Sequence, residues 1–164
     1  MDEKFSSRIL NHNDIKPANI TNSPKRGAVL IDFEMAQFTH DQTSRGGTPW
    51  YMPPEFATSA RRGAPGDVWA LGVTMLYVLG KTGLPERMVA PWQIAEVRDK
   101  TGQAYRQMMA WVDSVAGIRE RLDREDAVEG LVCQMLEEAP NSRVRAERAS
   151  ALIEAHTLAD LNVS

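Results

Sequence analysis

The sequence predicts a mainly α-helical domain, packed around one buried helix and carrying a small β-hairpin at one end. Three observations carry this expectation. The run "GDVWALGVTMLYVLG" (Gly66–Gly80) is apolar on every face between an aspartate and a glycine, the pattern of a central buried helix. Three later segments repeat their apolar residues at helical spacing. Near the start, two short apolar segments flank "NSPKRG", whose proline and glycine suit a hairpin turn.

Taken in chain order, residues 1–10 suit the last turns of a helix. Strands are expected over Ala18–Thr21 and Ala28–Asp32, the second opening on a uniformly apolar Ala-Val-Leu-Ile. From Glu34 to Pro54 the sequence is polar and shows neither helical nor strand period. Such a stretch inside a compact domain is more often functional than idle. Asp67 is the expected N-cap of a helix over Val68–Leu79, and Gly80 its stop. Helices follow over Gln103–Val115, Asp126–Leu136 and Arg145–His156. Val128, Leu131, Val132, Met135 and Leu136 share one face of the second, and Ala149, Leu152 and Ile153 one side of the last. Cys133 falls inside the second as a small packing residue.

Composition narrows the function classes. A chain of 164 residues is one ordinary domain with enough length for a real core. Its 43% hydrophobic and 25% charged residues exclude disorder. A net charge of −3 argues against a nucleic-acid partner, which selects for basic surfaces. The single cysteine excludes an internal disulfide and agrees with a reducing compartment. "MDEKFSSRIL" lacks the apolar core of a signal peptide. Val68–Leu79 is too short for a membrane span, which takes about 20 apolar residues. The expectation is an intracellular protein, cytoplasmic or nuclear, with no nucleic-acid and no membrane partner.

The chemistry concentrates in "HNDIKPAN", His12 to Asn19. Asp14 and Asn19 flank a turn held by Pro17, so their oxygens can converge. Asp32 ends an apolar strand, where a carboxylate is expected at a mouth or a cation site. An asparagine and an aspartate beside a lysine suit Mg²⁺ carrying a phosphate, because magnesium is hard and takes few carboxylates plus substrate oxygens. Asp14 would then orient a hydroxyl and accept its proton, while Lys16 offsets charge on the moving phosphoryl group. Read from these residues alone, solvated polar side chains in a surface loop remain the other reading.

Five motifs in order resemble the protein kinase family. "HNDIKPAN" looks like the catalytic loop His-Arg-Asp-Leu-x-x-x-Asn, and "IDFE" stands where kinases carry Asp-Phe-Gly. "GTPWYMPPEF" (Gly47–Phe56) resembles the end of the activation segment. "GDVWALGVTMLYVLG" resembles the buried helix that follows, and "APNSR" the Pro-x-x-Arg near the family's C-terminus. The resemblance implies a mainly α fold, the protein-kinase-like C-terminal helical lobe with a small β-hairpin at the catalytic loop. It would occupy residues 1–158 and leave 159–164 as a short tail.

By the same resemblance, the function is ATP-dependent phosphoryl transfer to Ser or Thr of a protein substrate. Asp14 would be the catalytic base, Lys16 would contact the γ-phosphate of ATP, and Asn19 and Asp32 would hold Mg²⁺. Thr48 would tie the peptide-binding loop to Asp14 and Lys16. Asp67 would hold the catalytic-loop backbone, Arg143 would pair with Glu55, and His12 and Phe33 would pack beneath the loops.

Three departures from the family pattern add expectations. Asn13 stands in place of an arginine that pairs with a phosphate on the activation segment, and an amide cannot make that bidentate contact. Phosphorylation of Thr39, Thr43, Ser44 or Thr48 is therefore not expected to act through residue 13. Glu34 replaces the usual glycine. Small-molecule phosphotransferases of the aminoglycoside and choline kinase type share such an ending, but have no counterpart of "GTPWYMPPEF" or "DVWALGV". Lastly, only 13 residues precede Asp14, with no Gly-rich loop and no Val-Ala-Ile-Lys strand. Weak or no nucleotide binding and negligible turnover are expected of this lobe alone. The alternative is a catalytically dead module that binds a partner protein. Self-association through exposed apolar surface is expected as well.

Overall fold

The computed structural model describes residues 10–38, 46–59 and 63–161. The helical turns expected over residues 1–10 lie outside them except at Leu10, which is in a strand instead; Thr39, Thr43 and Ser44 also lie outside them.

The β structure is two small antiparallel pairs. β1 (Leu10–Asn11) pairs with β4 (Gln37–Phe38), and β2 (Ile20–Ser23) pairs with β3 (Gly27–Leu30). In the second pair Ile20 faces Leu30 and Ser23 faces Gly27, so "NSPKRG" makes the expected hairpin turn. Both strands differ at their ends from the sequence expectation. Pro17–Asn19 forms a 3₁₀ turn instead of the start of a strand, because proline presets that φ and has no N–H for a ladder. β3 stops at Leu30, and Asp32 turns to φ +63, a left-handed conformation that breaks a strand. β4 was not expected. A two-residue strand carries no readable period, and its partner β1 lies far away in sequence.

The helices are α1 (Phe56–Ser59), α2 (Ala64–Val78), α3 (Pro85–Met88), α4 (Gln103–Arg119), α5 (Ala127–Met135) and α6 (Ala146–Leu161). α2 is the expected central helix. Trp69, Val73 and Leu76 are fully buried and pack with Met108, Val112 and Val115 of α4 and Val132 of α5. Each such side chain contributes roughly 1.5–3 kcal/mol by leaving water. The burial is not uniform, since Val78 in the last turn is 62% exposed.

Asp67 is not the N-cap. α2 begins at Ala64 after Gly63, with Pro65 in its first turn, so Asp67 is helical and its carboxylate is available elsewhere. Gly80 does stop the helix. At φ +67 it lets its own N–H reach Tyr77 O (3.0 Å) and the Lys81 N–H reach Leu76 O (2.8 Å), the paired bonds of a Schellman cap. Asp126 caps α5 as expected, its Oδ1 accepting from Val128 N and Glu129 N at 2.9 and 2.8 Å. Cys133 is buried in α5. α4 and α6 run past their expected ends at Val115 and His156, the first with the partly buried Ile118 continuing its apolar side. Among the described residues no helix is long and apolar enough to cross a membrane.

Candidate active site

Asp67, projecting from the first turn of α2, organises the loop that follows β1. Its two carboxylate oxygens accept the backbone N–H of His12 (2.6 Å) and of Asn13 (2.9 Å). Two adjacent amides on one carboxylate fix the loop's path, and Asn13 bends to φ +65 between them. The His12 ring then braces the loop from below. Its Nδ1 accepts the Asp14 N–H at 3.3 Å, so the ring proton belongs on Nε2, which donates to Ile31 O at 3.1 Å. Phe33 packs against the ring in a tilted arrangement, with 4.8 Å between centroids.

This frame brings four polar side chains together. Lys16 Nζ donates to Asp14 Oδ2 and to Thr48 Oγ1, each at 2.8 Å. The Thr48 hydroxyl donates to Asp14 Oδ1 at 2.7 Å. Asn19 Nδ2 donates to the Asp14 carbonyl (2.9 Å) and to its Oδ2 (3.1 Å). With its nitrogen facing Asp14, the Asn19 amide oxygen faces away from it. Asp32 is less enclosed. It is exposed, and its Oδ1 lies 3.4 Å from the Glu34 N–H. Its neighbour Ile31 donates to Asn19 O at 2.9 Å, which keeps Asp32 beside the Asn19 end of the loop. Among the described residues, no hydrogen bond joins Asp32 to Asp14, Lys16 or Asn19.

Burial alone would push the Asp14 carboxyl up. The bond and charge of Lys16, with the bonds from Thr48 and Asn19, outweigh burial and hold it below the ordinary aspartate value. A depressed carboxyl stabilises the fold above its unfolded-state pKa, near 3.9, and that contribution disappears as pH falls through the folded-state value. Replacing Lys16 by methionine is expected to raise the Asp14 midpoint in a carboxyl-carbon NMR titration. An unmoved midpoint would show that Lys16 is not what holds it down.

The segment carrying Thr48 is anchored on its other side. Pro49–Tyr51 forms a 3₁₀ turn. Trp50 Nε1 donates to Val89 O (3.0 Å), Trp111 Nε1 to Trp50 O (2.7 Å), and the Tyr51 hydroxyl to both Glu86 oxygens (3.1 Å). Burial and the Glu86 charge push the Tyr51 phenol far up, so it stays a donor. These anchors were not legible in the sequence, because Tyr51 and Glu86 share no motif and no local spacing. Glu55 and Arg143, expected to pair, do so bidentately at 2.9 and 3.0 Å.

Thr48 occupies both its neighbours, so a phosphate there would bring about −1.5 to −2 charges against the Asp14 carboxylate. The acidic variant Thr48→Glu is expected to melt at a lower temperature than Thr48→Val. Equal melting would remove the argument.

The hollow next to Asp14, lined by Asn13, Thr48, Tyr51 and Asp67 and not by Lys16, Asn19 or Asp32, holds about 20 Å³, room for one water. A larger groove of about 480 Å³ runs between α2, α5 and α6, lined by Leu71, Met75, Leu131 and Leu152, and no residue of the loop lines it.

The family model described as Protein kinase domain matches residues 5–152. The chain is 33% identical over 99 residues to mitogen-activated protein kinase kinase kinase 17 of Arabidopsis thaliana, covering 59% of the chain and 25% of that protein. It is 38% identical over 81 residues to serine/threonine-protein kinase sid1 of Schizosaccharomyces pombe, covering 46% and 17%. With the brassinosteroid LRR receptor kinase BRL3 of Oryza sativa subsp. japonica it shares 28% over 145 residues, covering 80% and 11%. The chain thus spans a quarter or less of the length of each of these relatives.

Proposed function

Because the chain belongs to the protein kinase family, we propose that it acts as the C-terminal lobe of a Ser/Thr protein kinase, serving ATP-dependent phosphoryl transfer to a protein hydroxyl. The lobe would take in residues 1–158, with 159–164 beyond it. The observation that carries the reading is the Asp14 carboxylate, held at hydrogen-bond distance by the Lys16 ammonium on one oxygen and a threonine hydroxyl on the other.

Each side chain has a role its chemistry can perform. Asp14 orients the substrate serine or threonine hydroxyl and takes its proton. Its lowered basicity suits a group that accepts the proton late, as the bond to phosphorus forms. Lys16 offsets negative charge on the transferred group. The donor set fits Mg²⁺: Asn19 is buried with its amide oxygen turned from Asp14, and Asp32, one residue past the backbone bond of Ile31 to Asn19, offers an exposed carboxylate. Two oxygen ligands leave room for the water and phosphate oxygens that magnesium prefers. Mg²⁺-ATP, when bound there, supplies the phosphoryl group and neutralises its developing charge.

Lysine two places after the aspartate follows the Ser/Thr-type pattern, and sid1 carries that designation in its name. The small-molecule phosphotransferase reading is weaker, because "GTPWYMPPEF" is tied into α3, α4 and the Arg143 pair and is no spare loop. For these 164 residues alone we expect negligible turnover, since Asp32 is exposed and the effect of positioned charges depends on excluding water. A second reading, an inactive kinase-like module, draws support from Leu10, Ile31 and Phe33, which are 50%, 42% and 54% exposed beside the loop. Such a face suits a protein partner or a second copy of the chain.

A thermal-shift titration with Mg²⁺-ATP tests the metal site directly. A small upward shift is expected at millimolar nucleotide, lost in Asp32→Ala. A shift that survives Asp32→Ala would remove Asp32 from the site.

A further inference from the structure

We infer that Trp111 is a positioning residue for the candidate active site: from α4, through the carbonyl of Trp50, it sets where the Thr48 hydroxyl meets Asp14 and Lys16. The inference deepens the kinase reading and rests on it for its functional meaning.

Three of the four tryptophans in the chain, Trp50, Trp92 and Trp111, are buried in the same core cluster. They come from separate segments: the turn after Thr48, the stretch between α3 and α4, and the middle of α4. Trp50 and Trp92 meet edge to face, with 6.2 Å between ring centroids. Their indole N–H groups are used differently. Trp111 Nε1 donates to Trp50 O at 2.7 Å, and Trp50 Nε1 to Val89 O at 3.0 Å. Val89 is itself fixed, since its N–H closes α3 on Pro85 O at 2.9 Å. Trp92 Nε1 is buried with no hydrogen-bond partner among the described residues. Trp92 therefore serves by packing alone, whereas Trp111 also holds a backbone group in place.

Between Trp50 and Thr48 the backbone has little slack. The Tyr51 N–H returns to Thr48 O and the Met52 N–H to Pro49 O, each at 3.1 Å, and proline fixes its own φ within the turn. Thr48 stands directly before this turn, its hydroxyl donating to Asp14 Oδ1 at 2.7 Å and accepting from Lys16 Nζ at 2.8 Å. A hydrogen bond stretched to about 3.6 Å is lost, so a turn displaced by about 1 Å gives up both. Removing the Trp111 N–H favours that displacement, because a buried carbonyl left without a donor is costly.

Matched substitutions separate the bond from the packing, since Trp→Phe removes the same ring volume at either position. Trp111→Phe is expected to speed hydrogen exchange roughly tenfold in the peptide covering 48–52. It is also expected to broaden the Lys16 ammonium signal in ¹H–¹⁵N spectra, which reports the bonds to Asp14 and Thr48. Trp92→Phe is expected to leave both readouts unchanged. In the unsubstituted chain the Trp111 indole proton is expected to share the protection of the Tyr51 amide, because one opening of the turn frees both. Equal loosening by the two variants, an unmoved Lys16 signal in Trp111→Phe, or unequal protection of the Trp111 and Tyr51 protons would each overturn the inference. The last measurement decides the matter even where Trp111→Phe fails to fold. None of these readouts involves nucleotide, so they stand apart from whether phosphoryl transfer is observed.

Discussion

Replacing Glu55 by glutamine is expected to lower the unfolding free energy by about 3–5 kcal/mol, a fall in Tm of roughly 10 °C for a chain of this size. The reason lies at the other end of the pair. The Arg143 side chain is fully buried, and all its nitrogens are engaged. Nη1 and Nη2 take the two Glu55 oxygens, and further bonds go to the carbonyls of Pro65 (2.7 Å), Glu137 (2.8 Å) and Glu138 (3.0 Å). The guanidinium also lies 5.2 Å from the Trp69 ring. The neutral amide would leave a charge buried without its counter-ion. Arg143→Lys should fail nearly as badly, since an ammonium cannot span five acceptors in a plane. Urea unfolding monitored by circular dichroism checks both, and a loss below about 1 kcal/mol would place the pair with weak surface ion pairs.

The largest effect on chemistry is expected from Asp14→Asn. The substitution keeps the shape and the bond to Lys16 in altered form, but removes the proposed proton acceptor. Phosphoryl transfer, measured with the chain joined to a kinase N-terminal lobe, should fall by at least about 100-fold. The Mg²⁺-ATP thermal shift should survive, because Asp14 is not among the proposed metal ligands. A variant retaining a third of the rate would show that proton acceptance at Asp14 is not part of the reaction. Loss of the shift together with the rate would instead make Asp14 part of the metal site.

Much of this site was legible before the fold. Asp14, Lys16, Asn19 and Thr48 come together as the motifs implied, because residues within one tight loop can be placed by local geometry, and Thr48 by the resemblance. The same holds for Glu55 with Arg143. Asp67 was half legible. Its place at a helix start suggested a cap, whereas Pro65 and Gly63 begin the helix earlier and leave the carboxylate for His12 and Asn13. The bond of Trp111 to Trp50 and the bond of Tyr51 to Glu86 had no sequence signal, since each joins groups brought together only by the path of a long irregular segment.

The sequence by itself determined the hairpin, the central helix, the three later helices and which polar residues share the loop, because apolar periodicity and short motifs act over a few residues. The tertiary structure decided how that loop is held: which carboxylate carries its backbone, and which carbonyl of the Thr48 segment meets Trp111. Those depend on distances between segments far apart in the chain, and no local pattern encodes such a distance.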